Sequence, residues 1–155
     1  MKQILKLLPL TILFFSLSST ADIAVVVNVN NPYTAASSAD LKNMYRARVS
    51  EFSEGNPIVL SYQPANLDIT HLFFDTVVGK SMTQLHRFWA SRIFSGRMRK
   101  PIKLDNDTAV IQWIANNKNG IGYIDETNLT DDVKKVATIE TPRTLKQDTP
   151  DQVQP

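Results

Sequence analysis

Apolar positions along this chain switch between a strand-like and a helix-like period, and the switches mark out its elements. Ile23 to Val29 is a nearly continuous β-branched run, the pattern of a strand covered on both faces rather than wetted on one. It is predicted to be a central strand. Asn30-Asn31-Pro32 stops it, because proline has no N–H for a ladder and biases its predecessor toward extended conformations. Ser37-Ser38-Ala39-Asp40 has the Ser-x-x-acid form of a helix start. Leu41, Met44 and Tyr45 follow at helical spacing and predict a helix from Ser38 to Ala47, with Arg46 and Arg48 on its solvated face. A buried strand feeding a capped helix reads as the opening half of a β-α-β unit.

Ser50 to Pro57 reads as a polar loop and Ile58 to Tyr62 as the second strand. Gln63-Pro64-Ala65-Asn66-Leu67-Asp68 is a turn into a second helix, with Asp68 as its N-cap. Ile69, Leu72, Phe73, Thr76 and Val77 form the stripe of that helix, and Gly79 closes it. Strand, loop and helix in that order place backbone N–H groups and the positive dipole end beyond the strand's C-terminal edge, where an anion can sit. The same pattern describes a capped helix with no ligand, since the Asp68 carboxylate already occupies part of that positive end.

Ser81-Met82-Thr83-Gln84 is a capping box opening a third helix, with Met82, Leu85, Phe88, Trp89, Ile93 and Phe94 as its buried side and Gly96 at its end. Arg97-Met98-Arg99-Lys100-Pro101 reads as a solvated basic loop, with attraction of an anion as the rival use. Ile102 and Leu104 are extended, and Asp105-Asn106-Asp107 offers N-caps for a fourth helix carrying Val110, Ile111, Ile114 and Ala115, closing at Asn119-Gly120. Ile121 to Ile124 is the next strand, with Gly122 marking close backbone approach, and Val133 to Ile139 a last edge strand. The whole predicts a single three-layer α/β domain with a mixed, mostly parallel sheet flanked by helices.

The first residues change the picture of charge. Lys2 and Lys6 precede an apolar run, Leu7 to Leu17, followed by Ser18-Ser19-Thr20-Ala21. This is the n-region, h-region and small-residue cleavage site of a secretory signal peptide. The run falls short of the ~20 apolar residues of a membrane span, so a signal anchor is the weaker reading. Residues 1–21 are therefore expected to be removed and to direct the protein to the periplasm, leaving 134 of 155 residues and no membrane span in the mature chain. Without Lys2 and Lys6 the 17 basic side chains become 15, equal to the 15 acidic ones. A nucleic-acid partner then has no electrostatic basis. Residues 22–140 suffice for one domain with a real core, and residues 141–155, poor in apolar groups, are expected to be a disordered tail.

Candidate chemistry is sparse. There is no cysteine, which excludes thiolate metal sites and thiol catalysis. His71 is placed to pair with Asp75, and His86 lies beside an apolar stripe. Neither has a second histidine at ligand spacing, so no metal and no cofactor is implied. No Gly-x-Ser-x-Gly or paired-carboxylate setting is present, and an enzyme is the least favoured reading.

Five segments in order carry a resemblance: Ile-Ala-Val-Val-Val-Asn-Val-Asn-Asn-Pro, Ser-Ala-Asp-Leu-Lys-Asn-Met-Tyr-Arg-Ala, Asn-Pro-Ile-Val-Leu, Phe-Trp-Ala-Ser-Arg-Ile-Phe-Ser-Gly-Arg and Asn-Gly-Ile-Gly-Tyr-Ile-Asp. Over Ile23 to Asp125 the chain resembles short relatives of the phosphate-binding proteins of ABC transporters, which have the type II periplasmic binding protein fold. The resemblance implies one lobe of such a protein, corresponding to the second. It implies ligand contacts from Gln63, Asn66, Asp68 and Thr70, and a small oxyanion such as phosphate as ligand, for transport or sensing. The sequence departs from the larger binders at that loop: Gln63 stands where they carry an arginine, and Ala65-Asn66-Leu67-Asp68 lies over their Ser-Gly-Thr run.

A lone lobe cannot enclose a ligand without self-association, a partner or a shallow groove. Two readings follow: a solute-binding-like protein, or a ligand-free periplasmic interaction domain that contacts an envelope protein, with the tail as one means of contact. Intact-mass spectrometry of the protein recovered from the envelope is expected to show a chain starting at Asp22. A mass retaining residues 1–21 would establish a signal anchor instead.

Overall fold

Strand β1 (Ile23–Asn28) is buried at every position. Ile23, Val25 and Val27 enter one apolar cluster, and Ala24 and Val26 enter another on the opposite face. In the computed structural model, which describes residues 22–53 and 55–141, this strand lies inside a five-stranded sheet of order β5-β4-β6-β1-β7. The other members are β4 (Val59–Tyr62), β5 (Ile102–Lys103), β6 (Gly120–Asp125) and β7 (Val133–Ile139). The expected signal segment and nearly all of the expected tail, residues 142–155, lie outside the described residues. No helix among the described residues is long and apolar enough to cross a membrane.

Strands β4, β5 and β6 are parallel neighbours, while β1 pairs antiparallel with both β6 and β7. Four strands therefore point one way and β1 the other, giving the mixed, mostly parallel sheet. The β-α-β reading of the first elements is corrected by this: β1 and β4 run in opposite directions and β6 lies between them. Hydrophobic period fixes burial, and it carries no information on strand direction.

Helices α1 (Ser38–Tyr45), α2 (Asp68–Phe73) and α3 (Met82–Phe94) cover one face, and α4 (Asp107–Ala115) covers the other. Capping boxes open α1 at Ser37 and Asp40 and α3 at Ser81 and Gln84. Asn106 caps α4 by accepting from the Ala109 N–H at 2.9 Å. The segment read as a polar loop holds a small hairpin, β2 (Glu51–Ser53) with β3 (Asn56–Pro57). At the far end of β1, the buried Asn28 amide donates to the Ile114 and Ala115 carbonyls at 2.9 and 2.8 Å, satisfying the C-terminus of α4.

Three expectations about faces are corrected. Helix α2 passes into a π-helical turn, Phe74–Val78, closed by Gly79 at φ 64°. The buried stripe is Thr70, Phe73, Phe74, Val77 and Val78, one position later than expected from the first turn onward, leaving Leu72 and Thr76 outside. Phe94, expected in the core, is 96% exposed. Arg46, expected to be solvated, donates from Nε to the Val78 carbonyl at 3.0 Å and so holds the end of the π turn against α1.

Both sheet edges are short or irregular. β5 has two residues and follows the buried Pro101. β7 carries a bulge at Val136, where its register to β1 shifts between Val25 and Val26. Its Lys135 pairs with Glu126, and its Lys134 donates to the Asn31 carbonyl.

Gly122 on β6 shows the tightest approach. A Cβ there would lie 2.3 Å from Ser61 Oγ and 3.0 Å from Val110 Cγ1, and that Ser61 hydroxyl donates to the Ile121 carbonyl at 3.0 Å. Gly122→Ala is therefore expected to lower stability by about 1–3 kcal/mol through overpacking, read from the urea midpoint. Adding Ser61→Ala should recover part of the loss, whereas no recovery would place the strain elsewhere.

Candidate functional site

A groove of about 570 Å³ opens where β4 and β6 end and β1 begins, bounded by the first turns of α2 and α4. Ile23, Leu67, Ile69 and Leu72 give it an apolar strip. The placement of the α2 stripe thus has a use, since Ile69 and Leu72 turn to the groove while Phe73 and Phe74 hold the core. Three carboxylates, Asp68, Asp107 and Asp125, line the same space. Among the described residues no lysine or arginine lines it.

Gln63 and Tyr123 build the floor. Gln63 is 1% exposed, and its amide donates to Asp107 Oδ1 at 2.7 Å and to the Tyr123 carbonyl at 3.0 Å, using both of its N–H donors. Its backbone N–H donates to the Tyr123 hydroxyl at 3.0 Å, and that hydroxyl pairs with Thr70 Oγ1 at 3.1 Å. The Tyr123 ring stacks on Phe73 with centroids 4.2 Å apart. Asp107 is a second hub: its Oδ2 accepts from the Asp125 N–H at 2.9 Å and from the Asn128 amide at 2.8 Å. One carboxylate on α4 thereby joins the end of β4 to the end of β6.

Of the residues singled out by sequence, Gln63 and Asp68 line the groove. Asn66 is exposed in the preceding turn and outside the lining, and Thr70 is fully buried beneath the groove against Tyr123. Asp68 is the first residue of α2 and not its N-cap; Leu67 holds that position without a side-chain bond. Asp107 was read only as an N-cap candidate and Tyr123 only as part of a strand, and neither they nor Asp125 and Asn128 were named as site residues. Their only sequence signal is that each sits at or near the C-terminal end of a strand or the start of a helix, the positions that form a crevice in an open α/β sheet. His71 is exposed, and His86 lies edge-on to Tyr62 with centroids 5.5 Å apart. No group of three or more histidine, cysteine or acidic side chains among the described residues is arranged to hold a metal ion.

The fold is that of one lobe of a periplasmic-type binding protein. Solved structures with this architecture include a putative phosphate ABC transporter substrate-binding protein with bound phosphate from Clostridium perfringens, at 20% identity and TM-score 0.59, covering 75% of this chain and 44% of that one. An ABC-type phosphate transport receptor from Vibrio cholerae is similar at 16% identity and TM-score 0.59, covering 75% and 45%. PstS from Borrelia burgdorferi is similar at 11% identity and TM-score 0.58, covering 76% and 47%. At these identities the likeness establishes the fold, and this chain spans less than half the length of each. No protein-family model matches the chain, and no curated protein matches its sequence.

Burial raises the Tyr123 phenol from 10.0 to about 12, against the lowering effect of its bonds to Thr70 and Gln63. Burial also lifts Tyr45 well above 10.0. Both raised values favour the folded state while the phenols are neutral in the unfolded chain. Their contribution is complete below pH 10 and is lost as pH rises toward 12. Alkaline titration followed by tyrosinate absorbance and circular dichroism is expected to show stability falling between pH 10 and 12. Ionisation of every tyrosine near pH 10, with the fold intact, would contradict the buried network.

Proposed function

We propose that the protein is an exported binding module of the cell envelope, in which a single binding-protein lobe engages another envelope protein through its groove rather than enclosing a free oxyanion. The observation that carries this reading is the groove's charge: Asp68, Asp107 and Asp125 line it, and no cation does so among the described residues. A unit charge about 4 Å from a like charge costs about 1 kcal/mol in water and about 4 kcal/mol where solvent is partly excluded. A phosphate dianion needs charge-assisted donors when desolvated. The Gln63 amide, standing where the larger binders carry an arginine, is already committed to Asp107 and Tyr123. A lobe without its counterpart leaves such a groove open on one side, which suits a protein surface better than a small ligand that must be mostly buried.

Export is supported by the signal-peptide pattern of residues 1–21 and by the transporter receptors among the structural neighbours. A non-catalytic role is supported by those neighbours being described as binding proteins and receptors.

Capture of an oxyanion for transport or sensing is the second reading. Bound phosphate in the Clostridium perfringens neighbour and the crevice beyond the strand ends favour it. Gln63, Asn66, Asp68 and Thr70 would serve there only after the loop from Gln63 to Thr70 rearranges, because Thr70 is buried and Asn66 lies outside the groove.

Titration calorimetry of the purified protein with phosphate and with sulfate is expected to give no binding heat at millimolar ligand. Affinity capture from envelope extract is expected to recover a partner with the native groove and to lose it with Asp68→Lys combined with Leu72→Glu, both at exposed positions. Saturable phosphate heat together with no groove-dependent partner would overturn the proposal and establish the oxyanion reading.

A further inference from the structure

Overall neutrality conceals a division of charge. Between Thr76 and Leu104 the chain carries seven lysines and arginines and no acid, whereas the rest of residues 22–155 carries eight against 15 acids. Helix α3 and the loop after it therefore form a basic unit within an otherwise acidic protein. A Schellman-type turn ends the helix: Gly96, at φ 70°, and Arg97 donate from their N–H groups to the Ile93 and Arg92 carbonyls at 3.0 and 2.9 Å. The turn leaves Phe94 96% exposed at the last helical position, three residues before Arg97. Arg97, Arg99 and Lys100 are exposed, and none of them is ion-paired with a carboxylate among the described residues. Arg97 and Arg99 border a small recess with Ile58 and the exposed Val49. The acid nearest to Val49 in sequence, Glu51, accepts instead from the Gly55 N–H at 3.3 Å. That recess lies at the start of β4, and the acidic groove lies beyond the end of the same strand. Cations near a helix C-terminus favour the helix, which accounts for Arg92. It does not account for Arg99 and Lys100 beyond the turn, or for an aromatic ring left in water beside them.

We infer that this face docks on an anionic membrane surface, with Phe94 entering the headgroup layer and Arg97, Arg99 and Lys100 against lipid phosphates. Charge complementarity selects the occupant. Clustered cations are drawn to anionic lipid, and an aromatic ring among cations is the composition of interfacial anchors. Shape selects a bilayer over an acidic protein: Phe94 stands clear of the fold at a helix end, so a protein partner would need a cavity to receive it, whereas a lipid interface opens around it. The groove, at the other end of β4, stays open when this face is occupied. Meeting a membrane in the cell rests on the export reading above, while the contact itself involves no groove residue.

Flotation of protein recovered from the envelope is expected to carry several-fold more protein with vesicles of phosphatidylglycerol and phosphatidylcholine than with phosphatidylcholine alone. The excess should vanish at about 1 M salt, where the screening length falls to about 3 Å. Arg97→Glu plus Arg99→Glu is expected to lower partitioning about tenfold or more, and Phe94→Ser about threefold or more. All three positions are exposed, so the circular dichroism of both variants should match that of the native protein. The sequence contains no cysteine, so a polarity-sensitive dye on Ser95→Cys labels one site, and its emission is expected to shift to the blue on the anionic vesicles only. Equal binding to both vesicle types, binding indifferent to the charge reversals, or binding unchanged by Phe94→Ser would overturn the inference. A dye shift given by an acidic envelope protein and by neither vesicle would also overturn it and assign the face to a protein. Vesicles report docking wherever the chain resides and no groove ligand is added, so failure here leaves the mass, calorimetry and capture outcomes unaffected.

Discussion

The bond between the Tyr123 hydroxyl and the Gln63 N–H is the constraint on which the rest of the site depends. It sits at the point where β4 stops and the chain must turn into α2. A backbone N–H buried there without a partner costs about 1–3 kcal/mol. The same hydroxyl meets Thr70 on α2, and the same residue's carbonyl accepts from the Gln63 side chain. One tyrosine on β6 therefore fixes the end of a neighbouring strand, the first turn of the following helix and the orientation of the amide that faces Asp107. Stacking on Phe73 sets the ring's plane, and the Tyr45 ring closes the cluster at 5.0 Å from Phe73.

That arrangement explains why the groove is chemically different from an anion seat. With Gln63 drawn into the floor, the donors that could have faced a ligand are directed at protein atoms. The groups lining the groove are three carboxylates, neutral polar side chains such as Asn106, Thr108 and Asn128, and an apolar strip, with no cation among the described residues. The fold is shared with a lobe of the phosphate-receptor structures, while the crevice of this chain is lined by acids and not by cations among the described residues. Structural likeness at 11–20% identity carries the first of these and is silent on the second.

How far the sequence foretold this depends on whether the information is local. The β-branched run of β1 announced burial on both faces, the Ser37 and Ser81 boxes announced helix starts, and Gly122 announced a close approach; each is decided within a few residues. The direction of β1 was not legible, because it depends on which distant strands flank it. The stripe of α2 was misplaced by one position because apolar sets starting at Ile69 and at Thr70 both repeat at helical spacing, and packing against distant strands decides between them. In the site, Gln63 and Thr70 were both named from the loop that follows β4; the structure puts Gln63 in the groove floor and Thr70 buried beneath it on the Tyr123 hydroxyl, a placement that depends on the distant strand β6. Asp107 and Asp125 were passed over because an acid at a helix start or strand end is ordinary by itself. Their significance comes only from the fold bringing positions 63, 107 and 125 to one place.

The sheet's two margins carry a further consequence. An open margin of unpaired N–H and C=O groups is a template on which foreign strands polymerise. Here one margin is two residues long beside a proline, and the other is buckled at Val136 and carries Lys134 and Lys135. Such a ribbon resists extension by strand recruitment from either side. Recruitment of foreign strands is therefore disfavoured at both margins, which leaves the helices and the groove as the surfaces better suited to contact.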